Sequence, residues 1–212
     1  MTIKVQQIAP SEIEAESFRI IAEELGSTDF DDRTFKVVQR VIHATGDFSF
    51  ADSLRFHPDA IKAGLTSLQS GRNILIDVNM GAAGISKGLL APWGGKVTCL
   101  VSHPEVAVLA REKKKTRSEV AIEKGLDGNI GIVAVGNAPT ALLKVMQLME
   151  TLGERNRPDL VIGVPVGFVN AAESKALLCE KKYPFISNQG RKGGSPVAVA
   201  IVNALIRLAR EQ

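Results

Sequence analysis

Gly190-Arg191-Lys192-Gly193-Gly194-Ser195 is the segment whose residue types point most directly to chemistry. Glycines let successive N–H groups turn toward one point, a following helix N-terminus favours negative charge, and Arg191 and Lys192 add two cations. A carboxylate or phosphate suits such a loop, and a tight solvated turn is the plainer alternative. Its glycine–lysine spacing is not that of a Walker A loop. His43 is the second candidate. It closes a helical pattern, with Arg40 three residues earlier on the same face. Nearby Thr45 and Asp47 could orient an imidazole, although a last-turn histidine can also simply cap carbonyls. His57 and His103 each precede a proline and read as structural. Val135-Gly136-Asn137-Ala138-Pro139-Thr140 reads as a strand-to-helix turn. The basic run from Arg111 to Arg117 reads as the middle of a helix, mostly solvated, with Arg117 able to reach a neighbouring cleft. No His or Cys pair has metal-ligand spacing, so no metal is expected. No Ser-His-Asp or Cys-His arrangement follows from spacing.

These candidates need elements to hold them. Residues 1–72 read as helical. Ser11 and Glu14 have capping-box spacing, Gly26 is a stop, and Ile13, Phe18, Ile21 and Leu25 form an apolar face. Asp31 or Asp32 can cap a second helix with Phe35, Val38 and Ile42 inward. A third follows Pro58 and stops at Gly71. Residues 73–212 read as α/β. Apolar runs at 74–78, 97–101, 130–135, 160–164 and 184–187 read as strands covered on both faces. Helical patterns follow at 104–124, 138–152, 172–182 and 195–210, and residues 79–96 read as a long structured loop or short helix. The expectation is one domain over 1–212, with a Rossmann-like, mainly parallel sheet flanked by helices and an N-terminal helical segment. Ligands of such sheets bind beyond the carboxyl ends of the strands, where the glycines cluster.

Composition removes some classes. The chain has 212 residues, with 26 Lys+Arg against 23 Asp+Glu, a net charge of +3. That is too mild for a nucleic-acid partner. Eight Phe, one Trp and one Tyr are too few for a ladder of base-stacking platforms. No G-x-G-x-x-G follows a strand, which counts against a nucleotide-dependent oxidoreductase or transferase. Cys99 and Cys179 read as buried free thiols of a reducing compartment. The first ten residues lack the profile of a secretory signal, and no apolar run approaches a membrane span, so a cytoplasmic protein is expected.

Taken in order, the segments resemble precorrin-8X methylmutases. Val164-Pro165-Val166-Gly167-Phe168-Val169-Asn170-Ala171-Ala172-Glu173-Ser174-Lys175 and the Gly190–Ser195 loop carry most of the resemblance. Arg40 and His43 with Asp47 and Phe48, Ile13-Glu14 through Ser17-Phe18, Gly136 through Leu142, and Thr116-Arg117-Ser118 are similar too. Gly81-Ala82-Ala83 and Lys87 depart from the family pattern. The resemblance implies a cobalamin-biosynthesis isomerase that moves a methyl group on ring C of a corrinoid, giving hydrogenobyrinate or, with cobalt present, cobyrinate. It implies a homodimer, no cofactor, and His43 as catalytic proton donor. It places substrate contacts at Ser17 and Arg40, and at Ser86, Arg117, Gly167 and Lys192, which occupy motif or strand-end positions. A carrier that only holds the corrinoid product is the competing expectation, and a turnover assay separates the two.

Overall fold

Four of the five apolar runs become the inner strands of one sheet; the run at 97–101, expected to be covered on both faces, yields only a two-residue, half-buried strand at the sheet edge. The computed structural model describes residues 7–211. Residues 1–6, part of the segment read above as lacking a secretory signal, lie outside the described residues. In chain order the elements are helices α1 (Ile13–Leu25), α2 (Asp32–Thr45) and α3 (Ser49–Ser53), strand β1 (Leu54–Phe56), helix α4 (Ala60–Gln69) and strand β2 (Asn73–Ile76). Two short helices follow, α5 (Asn79–Gly84) and α6 (Lys87–Leu90), and then β3 (Val97–Thr98), α7 (Pro104–Glu112) and α8 (Arg117–Gly125). The last third alternates β4 (Ile130–Val135), α9 (Pro139–Thr151), β5 (Leu160–Gly163), α10 (Ala171–Cys179), β6 (Phe185–Asn188) and α11 (Ser195–Arg210).

The strands lie in the order β1-β6-β5-β4-β2-β3, and every neighbouring pair is parallel except β1 with β6. Counting the parallel strands alone, the order is 2-1-3-4-5, one of the two common doubly wound arrangements. Helices cover both faces. Val38, Ile42, Leu68, Ile201 and Leu205 belong to one apolar cluster, and Ile122, Leu142, Val145 and Leu178 to the other. Every residue of β4 is buried, as the continuous apolar run requires. Each large apolar side chain removed from water there contributes roughly 1.5–3 kcal/mol.

Helix α2 forms where expected and for the expected reason. The Asp31 carboxylate accepts from the Arg33 and Thr34 N–H groups at the helix start, and Gly46 in the left-handed region ends it. Its buried stripe is Val37, Val38, Val41 and Ile42, with Phe35 only half-buried. It packs antiparallel on α11. Lys36 near its start reaches Glu211 at 2.6 Å, while Asp47 just past its end reaches Lys192 at 2.6 Å.

Four further expectations change. The capping box at Ser11 does not form: α1 begins at Ile13, and no side chain caps it. The N-terminal third is not purely helical, because β1 pairs with β6 and so adds an edge strand to the sheet. The helix expected over 104–124 is two helices, broken where Lys114 takes a positive φ of 52°. Arg117 therefore opens α8 instead of sitting mid-helix, and Thr116 caps it by accepting from Glu119 N–H at 3.1 Å. Both cysteines are free, and both are half-buried rather than buried.

Candidate active site

Phe18 of α1 is the hub of the first group. Its ring meets the His43 imidazole edge-on, with centroids 5.3 Å apart, and the Arg40 guanidinium carbon lies 4.4 Å from the same ring. Gln39 Nε2 donates to Phe18 O at 2.8 Å, which fixes α1 against α2. Ser17 sits beside Phe18 and donates its hydroxyl back to Ile13 O at 2.8 Å. Arg40 and His43 are thus gathered on the Phe18 ring, with Ser17 the next residue along α1. Arg40 is only 14% exposed and donates to Glu14 Oε1 at 2.6 Å, which holds the Glu14 carboxyl below its ordinary range. His43 is exposed.

The polar neighbours expected to orient that imidazole are engaged elsewhere. Thr45 donates its hydroxyl to Val41 O at 2.8 Å. Asp47 accepts from Lys192 Nζ at 2.6 Å and from Ser49 N–H at 3.0 Å. Among the described residues no polar group hydrogen-bonds the His43 ring, so the Phe18 edge is what orients it.

The second group is a pair of interlocked loops at the carboxyl ends of β5 and β6. Gly194 N–H donates to Val164 O at 2.8 Å, and Gly167 N–H donates to Arg191 O at 3.2 Å. Gly193 has φ +149°, and a Cβ placed there would stand 2.3 Å from Val164 O, so only glycine lets the loops close this tightly. The loop aims Lys192 at the end of α2, where its ammonium donates to Asp47 Oδ2 and, at 2.9 Å, to Ser49 Oγ. Lys192, with help from Ser49, holds the Asp47 carboxyl down at about 2. The sequence motif and the His43 helix therefore meet, although they lie far apart in the chain.

Beside this bridge the surface turns apolar. Phe168 is 83% exposed and Val169 78%, and the Arg191 guanidinium carbon lies 5.4 Å from the Phe168 ring centroid. The turn after β4 is packed in from below. Gly136 lies so close to Ser195 that a Cβ would stand 2.8 Å from its Cα. Buried Asp77 accepts the Gly136, Asn137 and Ala138 N–H groups at 2.8–3.0 Å. Burial pushes its carboxyl up, against those three donors. Exposed apolar side chains beside the cations of Arg191 and Lys192 suit a large apolar ligand with carboxylates at its rim.

Residues 12–208 match the family model described as precorrin-8X methylmutase. The chain belongs to the precorrin-8X methylmutase family. It is 45% identical over 203 residues to the cobalt-precorrin-8 methylmutase of Priestia megaterium, covering 95% of this chain and 89% of that one. It is 42% identical over 175 residues to the precorrin-8X methylmutase of Pseudomonas aeruginosa, covering 80% and 82%. The solved precorrin-8X methylmutase of Thermus thermophilus superposes with a TM-score of 0.84 at 44% identity, over 94% of this chain and 98% of that one. Family membership makes the chain an isomerase of cobalamin biosynthesis, a methylmutase.

The methylmutase does not gather every expected residue into one cluster. Arg40 and His43 meet at Phe18, Ser17 lies next to Phe18 in α1 with its hydroxyl turned back to Ile13 O, and Gly167 and Lys192 meet in the interlocked loops. Ser86 stands before α6, where its N–H donates to Asn203 Oδ1 on α11 at 2.8 Å. Arg117 is exposed at the turn between α7 and α8, lining a recess with Arg111, Lys114 and Lys115. Thr116 at that turn bonds Thr140 at the start of α9, 2.9 Å away, which sets the Thr116-Arg117-Ser118 motif beside the one that begins at Gly136. Phe18, which spacing marked only as part of an apolar helix face, and Ser49, which it did not mark, both belong to this candidate site.

Proposed function

We propose that this methylmutase acts on precorrin-8X or its cobalt form, a corrinoid polycarboxylate, and that His43 donates a proton to the macrocycle near ring C. The shift is intramolecular: the bond from the methyl group to one ring-C carbon breaks as the bond to its neighbour forms. No methyl donor is consumed, and no cofactor enters the proposal. Protonating the macrocycle makes the carbon that receives the methyl group more electron-poor. A positioned histidine acting as general acid contributes about 10²–10⁴-fold.

The observation that carries this reading is the exposed His43 ring, free of hydrogen bonds and fixed by Phe18, at the end of the helix that Lys192 reaches from the glycine loop. Arg40, Arg191 and Lys192 offer donors for carboxylates, and Phe168 and Val169 offer apolar contact for the ring system. Ser17 contacts substrate beside Arg40, the Gly167 turn lets the macrocycle approach the backbone, and Ser86 and Arg117 serve peripheral carboxylates. The chain works as one domain, as a homodimer, in the cytoplasm. Exposed Ile13 and Ile20 on α1 support the homodimer, and no helix among the described residues is long and apolar enough to cross a membrane.

Incubating the protein with precorrin-8X and, separately, with its cobalt form tests the reading. Conversion of one or both, followed by the absorption spectrum, is the expected result, and conversion of neither refutes it. Lys192→Met is expected to weaken substrate binding by about 10–100-fold, the range for hydrogen bonds to charged groups, while kcat changes less. The loss is expected to shrink as salt rises, since the pair is exposed. An unchanged KM at low salt removes Lys192 from the substrate site.

A further inference from the structure

Lys175 is a buried charge that the methyl shift, as described, does not use. It lies on α10 at the end of the motif that opens with Val164, and its side chain is 0% exposed. Among the described residues no carboxylate pairs with it. Its ammonium donates instead to Lys192 O and to Asn188 Oδ1, the latter at 3.3 Å. Asn188, also fully buried, donates from Nδ2 to the same Lys192 carbonyl at 2.8 Å and to Gln189 O at 3.1 Å. One backbone oxygen is therefore held by two side chains from two elements. The peptide so held belongs to the residue whose side chain crosses to Asp47.

A buried ammonium facing no carboxylate is a poor device for stability, because desolvation disfavours its charge. The same burial lowers the Lys175 pKa to about 8. Retaining a charge there makes sense if the loop's exact placement matters more than the burial cost. We propose that Lys175 is a positioning residue of the methyl-shift reaction: with Asn188 it clamps the Lys192 carbonyl and so aims the Lys192 side chain at Asp47, beside the His43 end of α2. The proposal rests on the reading that Lys192 contacts the substrate.

Lys175→Met keeps an unbranched apolar stem, one atom shorter, and removes the ammonium. Three readouts are expected to move differently. The melting temperature stays within about 4 °C of wild type. Amide exchange at Gly193 and Gly194 becomes faster. KM for precorrin-8X rises about tenfold, and this rise disappears when Lys192 is already Met, because residues acting through one another are not additive. A fall in melting temperature beyond about 10 °C, with activity lost only in step with unfolding, shows a structural role and overturns the proposal. Unchanged exchange, or an equal KM effect with and without Lys192, also overturns it. Faster exchange with unchanged KM overturns the role in the reaction. If Lys192→Met also leaves KM unchanged, the fault lies in assigning Lys192 to the substrate, not in the clamp. If Lys175→Met does not accumulate, Lys175→Gln, which keeps one amide donor, is read by the same outcomes.

Discussion

His43→Ala is expected to fold, to bind the corrinoid, and to lose the methyl shift by about 10²–10⁴-fold in kcat. The fold survives because the imidazole is exposed and its main contact is the edge of Phe18. An edge-to-face ring pair contributes only about 0.5–1.5 kcal/mol. Binding survives because the cations sit on other residues: Arg40 stays paired with Glu14, and Lys192 stays on Asp47. The measurements are a thermal melt, a titration with the product, and the spectral change on adding substrate. Turnover at the wild-type rate would show that the proton comes from elsewhere. Lost product binding would make His43 a binding residue instead.

Gly193→Ala is expected to damage both stability and turnover, and Gly190→Ala is its control. Both glycines have positive φ, +149° and +76°. A Cβ at Gly190 meets nothing within 4 Å, whereas one at Gly193 stands 2.3 Å from Val164 O. The control therefore pays only the left-handed backbone preference, about 1–2 kcal/mol. At Gly193 the carbonyl cannot move aside, because it accepts Gly194 N–H and follows directly from β5. The loop must lift, and its strain of about 1–3 kcal/mol adds to the lost hydrogen bond. Lifting it also draws Lys192 away from Asp47. The expected pattern is a melting temperature about 5 °C or more below wild type and a KM raised at least about tenfold for Gly193→Ala, with near-normal KM for Gly190→Ala. Equal behaviour of the two variants would remove the interlock as the cause.

Much of this was legible from the residues, and the misses have physical reasons. Strands β2, β4, β5 and β6 are short apolar runs bounded by turn residues, so periodicity and length find them. Strand β1 escapes because it is three residues long and buries only Leu54 fully. The break between α7 and α8 escapes because Arg, Glu and Lys are strong helix formers, so Arg111 through Lys115 continue a helical pattern. The signal against that reading was present: Thr116 with Glu119 has capping-box spacing, and Thr116 does cap α8. The pairing of Arg40 with His43 was legible as one helix face, whereas their contact with Phe18 belongs to the packing of two helices and has no local signature. Lys175 was the hardest to read. A lysine after Ala171-Ala172-Glu173-Ser174 looks solvated, and only the crossing of α10 over β6 buries it.

The antiparallel seating of α2 on α11 also bears on when the protein can become active during synthesis. The Asp47–Lys192 bridge joins groups 145 residues apart in the chain. At ~5–20 residues per second, Asp47 at the end of the His43 helix is synthesised roughly 7–30 seconds before its partner loop. Through that interval Val37, Val38, Val41 and Ile42 have no α11 to cover them, and β1 has no β6 to pair with. A nascent chain thus exposes a greasy helix and an open strand edge, a state that chaperones recognise and that aggregation exploits. The proposed active site and the seal over that hydrophobic face are completed by the same late segment. A chain cut short before α11 is therefore both inactive and conspicuous to quality control.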